Sequence, residues 1–184
     1  MSRLILIHGS FGNPDENWFP YLKAELATRF EIVAPQFPTG NDQTLDNWLE
    51  VFKNEIGELR ENDILVGHSI GCAFILQLLS NKDSGKIQAA LLVSGFLDIL
   101  GIDEFDEVNK TFVTPEVDWS HIKNRIGEVK IWHGTNDPYV PITMAQKIAT
   151  SLEVELVEVA NGGHINSSAG FDQFPALKEQ LLNI

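Results

Sequence analysis

The sequence predicts an α/β fold, one parallel β-sheet with helices on both faces. Three observations support this. Short continuous aliphatic runs such as Arg3 to Ile7, Ile64 to Val66 and Ala89 to Val93 suit strands buried on both faces, as in parallel sheets. Stretches with apolar residues at helical spacing separate those runs, so strand and helix alternate. The chemically versatile residues gather just after the strand ends, the edge where parallel sheets bind ligands.

The elements follow in order. Arg3 to Ile7 is the first strand, and His8-Gly9-Ser10-Phe11-Gly12-Asn13-Pro14 is a loop marked by its glycines and proline. A helix is expected from about Asn17 to Arg29, with Trp18, Tyr21, Leu22, Leu26 and Ala27 on one face. Glu31 to Ala34 is the second strand, stopped by Pro35, and the polar loop Thr39 to Thr44 supplies capping residues for a helix from Leu45 to Ile56. Ile64 to Val66 is the third strand. The helix from Ile70 to Leu79 is apolar almost all round and should be deeply buried. Ala89 to Val93 and Val129 to Trp132 are the fourth and fifth strands, and a helix follows from Pro141 to Leu152, with proline acceptable in its first turn. Val154 to Val159 is the sixth strand, and a last helix covers Phe174 to Leu182.

The segment from Phe96 to Asp118 breaks this rhythm with seven acidic residues against one base, Lys110. A solvated loop with a short helix is the simpler reading, and a small insertion over the sheet edge is the other. If the segment overhangs a site, neutral or cationic substrates should be favoured over anionic ones.

At 184 residues, 43% hydrophobic and 21% charged, the chain reads as one domain, residues 1–184, with a sizeable core. A formal net charge of −13 argues against nucleic acid and anionic membrane as partners. The apolar run at the N-terminus is too short for a signal peptide or a membrane span, so a cytoplasmic location is expected. The single cysteine, Cys72, excludes an internal disulfide and a Cys-rich zinc site and suits a small core residue. No histidine pair has metal spacing, so no metal and no cofactor is expected.

The stretch from Asp63 to Phe74 runs from strand through a sharp turn into a helix. The turn reads Gly67-His68-Ser69-Ile70-Gly71, a G-x-S-x-G pattern in the context of a nucleophile elbow. Strand and helix approach so closely there that a Cβ at either glycine would clash. A serine hydroxyl is a weak nucleophile and needs a base, and the base needs a carboxylate to fix its tautomer. Asp137 and His164 each follow a predicted strand, and Ser, Asp, His is the chain order this arrangement uses. Asn136-Asp137-Pro138 is also a common turn sequence, and position after a strand is what distinguishes it. His133, close to Asp137, is the rival base, while His68 within the elbow suits a lining role. The oxyanion hole should combine the backbone N–H of Ile70 with that of Ser10, or alternatively Phe11, in the loop after the first strand.

Taken together, the His8 to Pro14 loop with Trp18-Phe19-Pro20, the elbow through Cys72, Asn136-Asp137-Pro138-Tyr139-Val140-Pro141, Gly162-Gly163-His164-Ile165-Asn166, and Gly170-Phe171 with Phe174-Pro175 resemble the α/β-hydrolase superfamily, and within it the RBBP9/YdeN-like small serine hydrolases. The resemblance spans nearly the whole chain. It implies a minimal six-stranded parallel sheet of order 2-1-3-4-5-6, no large cap domain, and Ser69, Asp137 and His164 as nucleophile, orienting acid and base. The expected activity is hydrolysis of a small or medium carboxylic ester, thioester or amide, with a small molecule or peptide as substrate. Phe11, Trp18, Phe96 and Tyr139, with His68, are the candidate substrate-binding residues, although these aromatics suit a core equally well. Family members are also described as interaction proteins, so a catalytically weak binding module is the alternative.

Overall fold

The structure, a computed structural model, describes residues 1–184. Six parallel strands form one sheet in the order β2-β1-β3-β4-β5-β6. They are β1 (Arg3–Ile7), β2 (Glu31–Val33), β3 (Ile64–His68), β4 (Ile87–Val93), β5 (Ile126–Gly134) and β6 (Leu156–Val159). The helices are α1 (Phe19–Leu26), α2 (Leu45–Glu55), α3 (Ile70–Ser80), α4 (Asp103–Val113), α5 (Trp119–Lys123), α6 (Ile142–Leu152) and α7 (Pro175–Leu182). No helix is long and apolar enough to cross a membrane.

The sheet divides the core into two layers. The larger takes apolar side chains from α2, α3, α4, α5 and α6. The smaller is closed by α1 and α7, through residues such as Leu22, Leu26, Leu177 and Leu181. Every residue of β1 and of β3 is buried, which is why these strands read as unbroken aliphatic runs. Arg3 at the start of β1 is itself buried, and its guanidinium grips both carboxylate oxygens of Asp63, at 2.8 and 2.6 Å, and the carbonyls of Ile56 and Glu58. A buried charge is tolerable when its donors are so fully used.

Among the departures from expectation, three have a clear physical cause. Asn17 has φ 53°, a left-handed conformation outside any helix, so α1 begins at Phe19 with Pro20 in its first turn. Strand β5 is longer than its apolar centre because Ile126 to Val129 extend the parallel pairing alongside Ile87 to Ala90. The third departure is a correction. The acidic segment is not a solvated loop with a short helix; residues 103–113 form the eleven-residue helix α4 packed into the larger layer. Phe105, Asn109 and Phe112 lie on its inner side, whereas Asp103, Glu104 and Glu107 face solvent. Its fit to α3 is fixed by Gln77, whose amide donates to the carbonyls of Phe112 and Pro115 at 2.8 Å each. The acidic first turn suits the helix N-terminus electrostatically, and the Asp106 carboxylate accepts the N–H groups of Leu100 and Gly101.

Candidate active site

The strand order reverses between β1 and β3, and the loops following these two strands meet there. Ser69 follows β3 at φ 56° and ψ −123°, a strained conformation for a residue with a side chain. The neighbourhood enforces it. A Cβ on Gly67 would sit 2.8 Å from the backbone carbon of Gly71, and one on Gly71 would sit 2.5 Å from the Ile7 carbonyl oxygen. The Ser69 N–H is held by the Val93 carbonyl at 2.9 Å, while the Ile70 N–H opens α3, where helix donors have no acceptor in their own helix. Cys72, one turn on, is buried, and its thiol reaches the carbonyls of Gly67 and Val93 at 3.2 and 3.4 Å. Burial pushes that thiol well above its usual range.

Asp137 and His164 come together in the same region. His164 Nδ1 lies 2.7 Å from Asp137 Oδ2, and the carboxylate is nearly inaccessible, at 1% exposure. Asp137 Oδ1 accepts the N–H groups of Tyr139 and Val140 at 2.9 and 3.0 Å. Burial pushes the Asp137 carboxyl up, but the bond to His164 and the two N–H donors together outweigh burial and hold it below its usual value. An ionised carboxylate at this position fixes the imidazole with its proton on Nδ1 and leaves Nε2 free to accept.

The loop carrying His164 is anchored from three directions. Its own carbonyl accepts from His68 Nε2 and from Ser94 Oγ, each at 3.0 Å, and the next carbonyl, of Ile165, accepts from Trp18 Nε1 at 2.9 Å. His68 is fully enclosed, and burial, reinforced by the neighbouring His164, holds its pKa down to about 3. It is therefore a neutral ring that donates through Nε2. His133, the rival base, directs Nε2 to the Val140 carbonyl at 2.9 Å and stands 3.6 Å from Asp137 Oδ2. That commitment leaves it as packing behind the carboxylate, and burial lowers its pKa.

Ser69 and His164 share the wall of one cavity of about 270 Å³, together with Gly9 and Ser10. No hydrogen bond joins Ser69 Oγ to His164 Nε2; the ring's one side-chain partner is Asp137. A Cβ on Gly9 would lie 3.1 Å from Ser69 Cβ, so the loop after β1 runs directly beside Ser69. Of the two alternative donors in that loop, the Phe11 N–H is taken by Gln43 Oε1 at 3.2 Å.

The substrate-binding expectations divide. His68, Phe96 and Tyr139 line the cavity. Trp18 does not; it is fully buried in the smaller core layer, because its indole N–H is used on Ile165. Phe11 does not line it either; at φ 56° its ring turns outward to rest 5.9 Å from that of Phe105. Sequence reasoning missed Leu100 and Phe105, which form an apolar wall, and Glu16, Asn17, Asn166 and Ser168, which form a polar one. The helical spacing of Phe105, Asn109 and Phe112 was the available signal for the first group. Glu16 is the one carboxylate on the cavity wall, and burial raises its pKa.

The sequence profile of a family described as serine hydrolase matches residues 4–183. YdeN of Bacillus subtilis (strain 168) is 29% identical over 182 residues, covering 97% of this chain and 94% of the relative. The serine hydrolase RBBP9 of Rattus norvegicus is 22% identical over 184 residues, covering 98% and 96%. The crystal structure of the ydeN gene product from B. subtilis superposes with a TM-score of 0.90 at 27% identity, covering 100% of this chain and 98% of that one.

Proposed function

The chain belongs to the serine hydrolase family, in the RBBP9/YdeN-like group of α/β-hydrolases, and on that premise we propose that it cleaves a small or medium carboxylic ester, thioester or amide through Ser69, His164 and Asp137. The observation that carries this reading is the 2.7 Å bond between Asp137 and His164 beside a strained Ser69 on the same cavity wall.

In the first half-reaction His164 Nε2 removes the Ser69 Oγ proton as Oγ attacks the substrate carbonyl carbon. The negative charge that develops on the carbonyl oxygen is met by the Ile70 N–H and the Ser10 N–H. Asp137 keeps its charge throughout and stabilises the imidazolium it faces. His164 then gives the proton to the leaving alcohol, thiol or amine, and an acyl group remains on Ser69. In the second half-reaction His164 takes a proton from water, the resulting hydroxide attacks the acyl carbon, and His164 returns the proton to Ser69 Oγ. The apolar wall of Phe96, Leu100 and Phe105 suits the acyl chain, and the cavity volume favours a short one.

A fluorophosphonate probe tests the assignment. It should label the wild type and leave Ser69→Ala unlabelled, and p-nitrophenyl esters from acetyl to octanoyl should be hydrolysed by the first and not the second. Equal labelling of both proteins would sink the role of Ser69. A folded wild type that neither labels nor hydrolyses any ester of the panel would favour a binding module instead.

A further inference from the structure

We propose that Asn109, on the inner side of α4, is a positioning residue that ties the oxyanion loop to the covering helix. The argument begins from a group that has no choice of role. The Phe11 backbone N–H can only donate, and it donates to Gln43 Oε1 at 3.2 Å. This fixes the Gln43 amide with its oxygen toward the loop and its nitrogen toward α4. Gln43 Nε2 then donates to Asn109 Oδ1 at 2.7 Å, so the Asn109 amide is fixed in turn with Oδ1 as acceptor. The same oxygen receives the Ser10 hydroxyl at 2.8 Å. Ser10 and Phe11, the two alternative donors for an oxyanion, are thus joined through one relay of two buried amides, each 1% exposed.

Two features mark this relay as more than packing. Asn109 Nδ2 is buried with no partner, a cost that an ordinary core position would avoid with an apolar side chain. The relay also separates the two donors: it uses up the Phe11 N–H and leaves without a partner the N–H of Ser10, a residue on the same cavity wall as Ser69. A further bond, from the Leu45 N–H to Thr111 Oγ1 at 2.9 Å, fastens the same helix to the start of α2. The cover is therefore held at Asn109 and again two residues on at Thr111, and the loop inherits its position.

This inference rests on the acyl-transfer reading above, and its test separates the two. With p-nitrophenyl acetate, Asn109→Leu should lower kcat by about tenfold to a hundredfold while KM changes little, as expected when an oxyanion donor is displaced rather than deleted. Affinity for a trifluoromethyl ketone, which forms a tetrahedral oxyanion on the serine, should fall by the same factor. Asn109→Asp retains an acceptor for both Gln43 and Ser10 and should recover most of the loss. Gln43→Leu should reproduce the defect, and the double variant should be no worse than the weaker single, because both cut one relay. Ser10→Ala, which keeps its N–H and disturbs the fold least, carries the test should the larger changes prevent folding. A wild type with normal labelling and turnover beside variants of unchanged kcat and unchanged ketone affinity would overturn this inference alone. Losses that multiply in the double variant would also overturn it. A wild type without labelling or turnover removes the acyl-transfer reading, and this inference with it.

Discussion

Trp18 Nε1 donates to the Ile165 carbonyl at 2.9 Å, joining the residue just before α1 to the loop after β6 across 147 positions of sequence. Ile165 immediately follows His164, so a fully buried indole sets where the imidazole stands. Trp18→Phe removes the donor and strands a buried carbonyl, at a cost of about 1–3 kcal/mol of stability. The expected signature is a lower urea midpoint together with a reduced kcat and a nearly constant KM. A variant that loses stability but keeps full kcat would show that the bond serves the fold alone.

Asp137→Asn keeps the shape of the side chain and removes its charge. The carboxamide can direct its N–H at His164 Nδ1 and so favour the wrong tautomer, with the proton on Nε2. A drop in kcat of about 10⁴-fold is expected, by analogy with the same change in the triad of a serine protease. Ester hydrolysis followed at substrate saturation measures it, and a loss smaller than about tenfold would remove Asp137 from the proposed triad.

Acid should weaken the fold through its enclosed histidines. His68 is held to about 3 by burial, and burial also lowers the pKa values of His8 and His133. In the unfolded chain these rings take up protons near pH 6.5, whereas in the folded protein each does so at lower pH. The unfolded state therefore binds more protons below that pH, and stability falls as pH falls. His68 alone should cost about 2 kcal/mol by pH 5, relative to neutral pH. Asp137, whose carboxyl lies below its usual value, adds to the loss in stronger acid. Urea unfolding at pH 5 and pH 7.5 checks this, and equal midpoints would contradict the neutral, enclosed state of His68.

Substrate charge should be read by Glu16, since the acidic side chains Asp103, Glu104 and Glu107 of α4 point to solvent and only Glu16 brings a carboxylate to the cavity. At pH 8 a neutral ester should be preferred to a matched one ending in a carboxylate by about tenfold or more, and because burial raises the Glu16 carboxyl the preference should weaken as pH falls. Glu16→Gln should narrow that ratio. An unchanged ratio would place the charge discrimination elsewhere.

The sheet was legible because strands buried on both faces leave unbroken aliphatic runs, as in β1 and β3, whereas the strand order came only from the family resemblance. The elbow was legible because close backbone approach admits only glycine at positions 67 and 71. Side-chain direction was less accessible. Trp18 and Phe96 are both buried aromatics beside loops, yet one bonds the loop of His164 and the other lines the cavity. The outcome turns on which carbonyl happens to face the indole, a tertiary fact with no local signature. The acidic segment misled for a related reason. Its charges dominate composition, but three inward residues at helical spacing decide its packing.

The burial of Cys72 has a practical side. With its only thiol enclosed between two carbonyls, the native protein offers maleimides nothing to react with. A single cysteine introduced at an outward position of α4, such as Glu107, would then be the sole labelling site on an otherwise unaltered background. A fluorophore there would report how the cover responds to a serine-directed probe in the cavity, without first stripping the protein of a core residue.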